Sequence, residues 1–234
     1  MVSAKNLYLF SYNASVGAAW AWVLYRTHKA AKEAPGDYVN MYKEVELPLK
    51  LAQTPALMEI LHAAIGIVRS PVVVTALQVS SRIWILWGII ALAPQAISSD
   101  WVQLAGPIGL SLRTLMGAWG TTEVIRYAFL AFKSIGVEPP YPLTWARYSS
   151  FLPLYPIGVA SELAMVRLAY STIKQRRLLS VDLPNPVNLS FDYSLICLLI
   201  VFSYVPFFPK MFGHMLSQRK KVLGGRRAVH AKIH

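Results

Sequence analysis

Long apolar stretches, each close in length to a membrane-spanning helix, place the strongest limit on how this chain folds. A helix needs about 20 predominantly apolar residues to cross a bilayer. The chain is 55% hydrophobic and only 15% charged, whereas a soluble domain averages about 45–50% apolar and about 25% charged residues. These values favour an all-α, polytopic transmembrane helix bundle with about six spanning helices. The predicted spans are residues 7–25, 51–68, 71–93, 101–132, 148–169 and 193–209.

The fourth stretch leaves two membrane paths open. Arg113, Glu123 and Arg126 interrupt its apolar residues. The segment 94–119 therefore leads into a single span as a re-entrant or interfacial segment, or it belongs to a span of its own.

The charge distribution predicts the orientation of the bundle. The net charge is +12, and the cations lie mainly between the apolar stretches and in a basic tail at about 213–234, so we read them as interface anchors and not as a nucleic-acid site. Short Lys/Arg-rich flanks tend to stay in the cytosol, and an even number of spans then places both termini there. The aromatic residues Trp20 and Trp22 are predicted at a membrane interface. The basic residues of the tail include Arg219, Lys220, Lys221, Arg226, Arg227 and Lys232.

Residues 1–234 are predicted to form a single membrane-embedded domain. The connecting segments are short and carry Pro and Gly turn signals such as Ala34-Pro-Gly-Asp37, and none is long enough for a soluble domain. The chain has one cysteine, Cys197, which excludes an intramolecular disulfide and a cysteine-cluster metal site. No glycine-rich nucleotide motif is present.

Glu59 and His62 share a helix face at positions i and i+3. Glu-x-x-His is a half-site of di-iron carboxylate proteins, but the chain has only five histidines, too few for such a site in this arrangement. A hydrogen-bonded structural pair is the preferred interpretation. We therefore predict neither a metal nor a cofactor.

Other polar residues inside the predicted spans suggest ion pairs or a pocket lining. Glu123 and Arg126 are also spaced i, i+3, which predicts either a helix-internal ion pair or a contribution to a polar pocket. Gln78 and Arg82 belong to a further polar patch, in which Arg82 either binds a phosphate or extends toward the interface.

Tyr155 and Glu162 form the most informative pair. Pro156 places Tyr155 at a helix start or bend, and Glu162 follows seven residues later, about 10.5 Å along a helix and on nearly the same face. Burial in an apolar environment makes a carboxylate more basic, so a phenol and a buried glutamate beside one gap suit acid–base chemistry on a lipid-like substrate. Alternatively, Tyr155 is an interfacial aromatic and Glu162 pairs with a cation from another helix, such as Arg82 or Arg126.

A series of short motifs runs in order through nearly the whole chain. The motifs are Glu59-Ile-Leu-His62, Gly66-Ile-Val-Arg-Ser-Pro71, Gln78-Val-Ser-Ser-Arg82, Thr122-Glu-Val-Ile-Arg-Tyr127, Trp145-Ala-Arg-Tyr148, Leu154-Tyr-Pro-Ile-Gly158 with Glu162, Leu183-Pro-Asn185, Ser190-Phe-Asp-Tyr193 and Met215-Leu-Ser-Gln-Arg219. With these motifs the chain resembles the very-long-chain (3R)-3-hydroxyacyl-CoA dehydratases of the protein tyrosine phosphatase-like, or Pasticcino, type, most of all their plant branch. The segment 94–119 is longer than expected for that family.

The resemblance implies a hydro-lyase of the endoplasmic reticulum membrane with six spans and both termini in the cytosol. The implied reaction is the third step of very-long-chain fatty acid elongation, in which (3R)-3-hydroxyacyl-CoA loses water to give trans-2-enoyl-CoA. The family's catalytic Tyr and Glu fall on Tyr155 and Glu162. The implied partners are the condensing enzyme, the 3-ketoacyl-CoA reductase and the enoyl-CoA reductase. A Cys-x5-Arg phosphatase loop is absent, because the sixth residue after Cys197 is Ser203.

We predict that Glu162 removes the C2 proton and that Tyr155 protonates the departing hydroxyl, although the reverse assignment remains open. The CoA phosphates are predicted near Arg147, Arg69 or Lys133. A non-catalytic scaffold or lipid-binding member of the elongase complex is the alternative function.

Overall fold

The computed structural model describes residues 3–97, 102–104, 108–181, 183–184 and 190–230, and most of them are helical. The helices are α1 (Ala4–Glu33), α2 (Tyr38–Gln53), α3 (Leu57–Ala64), α4 (Val72–Ile83), α5 (Leu112–Ser134), α6 (Tyr141–Ser149), α7 (Phe151–Gln175) and α8 (Tyr193–His230). A π-helical stretch, Trp84–Ile90, continues α4, and short 3-10 turns cover Thr54–Ala56 and Pro94–Ile97. The prediction of a helical bundle is confirmed. Three helical stretches of the described chain are long and apolar enough to cross a membrane: Val72–Ile90, Phe151–Gln175 and Tyr193–Gly224.

The first two helical segments form an antiparallel hairpin. Ser3 caps α1 by accepting a hydrogen bond from the Asn6 N–H at 3.2 Å, and Gly36 turns the chain with a φ of +84°, which a glycine adopts without strain. The helix α2 then returns along α1 and continues through the Thr54–Ala56 turn into α3. The Tyr12 hydroxyl donates to the Pro55 carbonyl at 2.8 Å.

The predicted second span at 51–68 does not correspond to one helix, and it is not among the three stretches that are long and apolar enough to cross a membrane. The antiparallel segment begins at Tyr38 and ends at Ala64. Its first half carries charged residues that sequence reading assigned to a loop, but two of them are paired: Glu44 bonds to Arg26 of α1, and Glu46 lies 2.6 Å from Lys50. Glu and Lys are good helix formers, so this stretch is helical although it is too polar to be recognised as a span.

The described residues of the fourth apolar stretch form a short pair of strands and a helix. Val102–Leu104 and Ile108–Leu110 pair as antiparallel strands β1 and β2, and α5 follows. Ser111 and Thr114 cap its start, with the Ser111 N–H donating to the Thr114 hydroxyl at 2.9 Å, a capping box that satisfies free N–H groups. Within the described residues this stretch holds a single helix, α5, and its path through the membrane stays a prediction.

The last predicted spans differ from the structure mainly at their ends. The fifth was predicted at 148–169, whereas α7 covers Phe151–Gln175; the sixth was predicted at 193–209, whereas α8 continues to His230. Pro206 and Pro209 lie inside α8. Much of the basic tail is therefore helical, and residues 231–234 lie outside the described part.

The core lies where α1 packs antiparallel against α5. Trp20 and Trp119 meet edge to face with ring centroids 6.4 Å apart. Gly120 allows this approach, because a Cβ there would lie 2.6 Å from Leu24. Trp20 is almost fully buried and faces the inside of the bundle, whereas Trp22 is exposed; the position of both residues at a membrane interface stays a prediction. The helix α7 also packs against α5, and α8 runs antiparallel to α7.

Candidate active site

Glu162 lies midway along α7, with its carboxylate buried between α5 and α8. Trp119 of α5 donates its indole N–H to Oε1 at 2.8 Å, and Tyr204 of α8 donates its hydroxyl to Oε2 at 2.8 Å. A carboxylate offers about four lone-pair sites, so these donors orient it and leave about two sites free. Glu162 forms no ion pair with any described residue, and the considered pairing with Arg82 or Arg126 does not occur.

Tyr155 lies seven residues before Glu162 and is half-buried against α8. Its ring stacks on Phe208, with centroids 5.1 Å apart and an interplanar angle of 8°, and lies 6.3 Å from Phe212. Pro156 is inside the helix, where its missing N–H leaves the Leu152 carbonyl without the usual i+4 donor. Because Glu162 also contacts α8, both side chains face the same neighbouring helix, as their spacing predicts.

Four charged side chains form a connected network beside Trp119. Arg82 of α4 pairs with Glu123 of α5, Arg126 Nε donates to Glu123 at 2.7 Å, and Arg126 makes two further bonds of 2.8 Å to the carboxylate oxygens of Glu59. The predicted Glu123–Arg126 ion pair is confirmed. The Arg82 guanidinium lies 5.4 Å from the centroid of the Trp119 ring. The two arginines and two glutamates balance in charge and join α3, α4 and α5.

The predicted hydrogen-bonded pair of Glu59 and His62 is wrong. Glu59 binds Arg126 and also accepts a hydrogen bond from Tyr127, whereas His62 Nε2 lies 2.8 Å from the Tyr8 hydroxyl of α1. The Glu59 side chain points toward α5 and the His62 side chain toward α1, so the two residues do not bond to each other. In the described chain, no three His, Cys, Asp or Glu residues are grouped closely enough to hold a metal ion.

The other predicted binding residues are dispersed. Arg147 of α6 is half-buried and makes no ion pair among the described residues; burial, together with the charge of Arg126, lowers the pKa of its guanidinium. Lys133 is exposed and lies 2.7 Å from Glu138. Arg69, between α3 and α4, and Gln78 of α4 are also exposed.

Sequence reasoning missed Trp119 and Tyr204 as partners of Glu162. Trp119 precedes Glu123 by four residues, which places both on one face of α5. Tyr204 is the only tyrosine between residues 194 and 209. The sequence thus offers a shared helix face for Trp119 and an isolated tyrosine at 204, but neither feature points to Glu162. Only the packing of α5 and α8 on α7 brings these residues to the carboxylate.

Cys197 lies on α8 and is fully buried. A thiol without solvent access is poorly placed to act as a phosphatase nucleophile.

Comparison with known proteins gives a consistent set of matches. A profile of the protein tyrosine phosphatase-like protein family, PTPLA, matches residues 53–225. The chain is 43% identical over 220 residues to the very-long-chain (3R)-3-hydroxyacyl-CoA dehydratase PASTICCINO 2 of Arabidopsis thaliana, covering 94% of each chain. It is 41% identical over 216 residues to the very-long-chain (3R)-3-hydroxyacyl-CoA dehydratase 2 of Homo sapiens, covering 92% of this chain and 80% of that one. No solved structure matches.

Proposed function

Because this chain belongs to the protein tyrosine phosphatase-like (PTPLA) family, we propose that it is a (3R)-3-hydroxyacyl-CoA dehydratase. The enzyme is a hydro-lyase that removes water from (3R)-3-hydroxyacyl-CoA to give trans-2-enoyl-CoA, the third step of very-long-chain fatty acid elongation. The names of its relatives support the reaction and the substrate class.

The environment of Glu162 is the main observation that supports a catalytic role for this site. Its buried carboxylate is bound by two neutral donors, and the phenol of Tyr155 lies on the same side of α7. A buried group with specific partners in a helix bundle is a candidate for acid–base catalysis. Glu59 and Glu123, by contrast, are bound to arginines.

In the proposed mechanism, a carboxylate oxygen of Glu162 takes the C2 proton, which is acidified by the adjacent thioester. The electrons of the C2–H bond form the C2=C3 double bond as the C3–O bond breaks. Tyr155 donates its phenolic proton to the departing hydroxyl, which leaves as water. Proton transfer from Glu162 to the Tyr155 phenolate then restores both groups. General acid–base catalysis of this kind contributes about 10²–10⁴-fold for each positioned group.

The proposed arrangement in the membrane has six spans, formed by α1, α2 with α3, α4 with its π-helical continuation, α5, α7 and α8. Both termini then lie on one side, which the basic tail assigns to the cytosol, and the membrane is that of the endoplasmic reticulum. Residues 1–234 act as a single catalytic domain with the basic tail at about 213–234.

In this orientation the Tyr155 end of α7 is nearer to the cytosol than Glu162. The acyl chain lies between helices and the CoA phosphates remain at the cytosolic surface. Among the predicted phosphate ligands Arg147 is best placed, because it is half-buried, makes no ion pair among the described residues and lies eight residues before Tyr155. Arg69 and Gln78 are exposed, and Lys133 is exposed and paired with Glu138.

The charged network is assigned to the wall of the site. Each charge in the network is paired: Glu123 pairs with Arg82 and Arg126, and Arg126 also pairs with Glu59. Arg82 also covers the Trp119 ring, and Trp119 holds Glu162. We therefore assign these residues a role in positioning Trp119 and joining the helices, and no role as proton donors. The partner enzymes are the condensing enzyme, the 3-ketoacyl-CoA reductase and the enoyl-CoA reductase of elongation.

The direct test is turnover in membranes. Microsomes from cells that lack endogenous dehydratase and express this chain are supplied with a long-chain 3-hydroxyacyl-CoA, and trans-2-enoyl-CoA is measured. Glu162→Gln and Tyr155→Phe should each reduce turnover by about 10²–10⁴-fold. The matched controls Glu46→Gln and Tyr170→Phe should retain wild-type turnover.

Near-wild-type turnover in both site variants would refute the assignment of the pair. If the wild-type chain forms no enoyl-CoA yet co-purifies with the other elongation enzymes, the alternative function of a non-catalytic scaffold is the correct one. Measurement across acyl lengths from the same membranes defines the chain-length preference.

A further inference from the structure

A cavity of about 210 Å³ lies at one end of the bundle, between α5, α6 and α8. Its Lys133–Glu138 ion pair is exposed, so the cavity opens to water. We call it the end pocket; its lining residues are Phe129, Lys133, Glu138, Thr144, Tyr148 and Val222.

The end pocket lies in line with the candidate active site. Tyr148 lines the pocket, and Tyr155 and Glu162 follow at intervals of seven residues; Ser150, which joins α6 to α7, has helical dihedral angles. A spacing of seven residues brings side chains to nearly the same helix face, about 10.5 Å further along the axis. The three residues therefore mark one line from the water-exposed end to the buried carboxylate.

The helix α8 follows the same line in the opposite direction. Val222 lies at the pocket and Arg219 Nε donates to the Ser149 hydroxyl at 3.2 Å. Phe208 then contacts Tyr155, and Tyr204 contacts Glu162. One seam between α8 and the α6–α7 segment thus connects the end pocket to both proposed catalytic residues.

The size and lining of the pocket suit a single aromatic heterocycle. Sites for drug-sized ligands have volumes of about 300–1,000 Å³, so about 210 Å³ holds one ring system with the remaining groups outside. Phe129 and Tyr148 meet edge to face, with centroids 5.9 Å apart, and offer ring surfaces on which a base can stack. The Thr144 side chain adds a polar group.

The charge next to the pocket favours phosphate groups. Arg219, Lys220 and Lys221 occupy the turn of α8 before Val222, and the sequence contains no Asp or Glu after Asp192. Half-buried Arg147 lies one residue before Tyr148 and makes no ion pair among the described residues. Arginine and lysine at such positions bind phosphate through charge-assisted hydrogen bonds.

From these observations we infer that the end pocket binds the adenine base of the CoA thioester, and that the basic turn at 219–221 binds its phosphates. This inference rests on the proposed function and specifies the nucleotide subsite of that substrate. The arm between the pyrophosphate and the sulfur has about as many backbone atoms as four residues, roughly 13–14 Å when extended. That length spans the interval of about 10.5 Å between Tyr148 and Tyr155, so the thioester reaches Tyr155.

The test compares two substrates with the same 3-hydroxyacyl chain, one a CoA thioester and the other a pantetheine thioester, which lacks the nucleotide. Val222→Trp fills the end pocket and should raise the KM for the CoA thioester at least tenfold relative to the KM for the pantetheine thioester. Val205→Trp, on an exposed face of the same helix, is the matched control and should leave this ratio unchanged. Tyr148→Leu provides a second variant that removes a stacking surface and should change the ratio in the same direction.

A binding measurement separates this inference from the proposed function. Adenosine 3′,5′-bisphosphate should bind the purified wild-type chain in lipid nanodiscs, and Val222→Trp should weaken that binding at least tenfold. Equal changes in KM for both thioesters, or unchanged KM values together with unchanged nucleotide binding, would overturn the nucleotide subsite. If the wild type converts neither thioester but binds the nucleotide in the end pocket, the proposed reaction fails and the subsite stands.

Discussion

The hydrogen bond from Tyr204 to Glu162 leads to a specific prediction about catalysis. Tyr204→Phe removes the hydroxyl that donates to Oε2 at 2.8 Å and retains the aromatic ring, so packing between α7 and α8 is largely preserved. Trp119 alone then holds the carboxylate, through Oε1. The carboxylate is free to rotate about that single bond, and its orientation toward the substrate is no longer fixed.

The expected magnitude follows from the type of hydrogen bond. A bond to a charged group contributes about 1.5–3 kcal/mol, and about 1.36 kcal/mol corresponds to a tenfold change in rate. If the bond is needed to hold the productive orientation, Tyr204→Phe should lower kcat by about 10–150-fold. KM should stay within about twofold, because Tyr204 bonds to the carboxylate and not to the proposed nucleotide subsite.

The assay is steady-state dehydration in membranes, with kcat and KM obtained separately. Tyr193→Phe is a matched control on the same helix: its hydroxyl donates to the Gly88 carbonyl at 3.1 Å and accepts from Trp84 at 2.9 Å, next to the π-helical stretch and away from Glu162. Loss of these bonds should reduce the free energy of unfolding by about 1–3 kcal/mol and leave kcat unchanged.

Two results would contradict this reasoning. A wild-type kcat in Tyr204→Phe would show that Trp119 alone orients Glu162. A raised KM with unchanged kcat would instead assign Tyr204 to binding of the acyl chain.

Further predictions concern packing and pH. Gly120→Ala should lower the free energy of unfolding by about 1–3 kcal/mol, because the new Cβ would lie 2.6 Å from Leu24. A Cβ at Gly117 would meet no neighbouring side chain within 4 Å, so Gly117→Ala should be neutral or stabilising. Thermal unfolding in detergent measures both variants. Hydrogen bonds from Ser194 lower the pKa of the Asp192 carboxyl. The ionised carboxylate therefore stabilises the folded chain fully above the ordinary Asp pKa of about 3.9. This stabilisation is lost as the pH falls through the lowered pKa of the folded state. Asp192→Asn should therefore weaken the acid dependence of the unfolding free energy, and an unchanged dependence would exclude this carboxyl as a contributor.

The apolar stretches predicted the helical bundle well, but they did not locate the second helical segment. Hydropathy detected the apolar part after residue 51 and missed α2, whose polar residues include Glu44 and Glu46. The partners of these residues depend on tertiary and i, i+4 contacts. Hydropathy counts each charge as if it were unpaired, so it does not recognise a polar helix such as α2 as part of the bundle.

The parts of the site that lie within a single helix were predictable from the sequence. The seven-residue interval between Tyr155 and Glu162 and the i, i+3 spacing of Glu123 and Arg126 are properties of a single helix, and the structure has the expected geometry at both. The donors to Glu162 come from two other helices, at sequence separations of 43 and 42 residues. Helical periodicity contains no information about contacts of that kind.

The contrast between Glu162 and Glu123 explains why only one of these buried carboxylates suits proton transfer. A proton added to Glu123 would remove the counter-charge that Arg82 and Arg126 share, and an uncompensated buried charge costs several kcal/mol. Glu162 is bound by the indole of Trp119 and the phenol of Tyr204, neither of which carries a charge. Protonation of Glu162 therefore leaves no unpaired cation among its hydrogen-bond partners. Neutral donors can orient this carboxylate in both protonation states, whereas the arginines hold Glu123 in one. In the proposed mechanism the network therefore stays rigid while Glu162 gains and loses a proton.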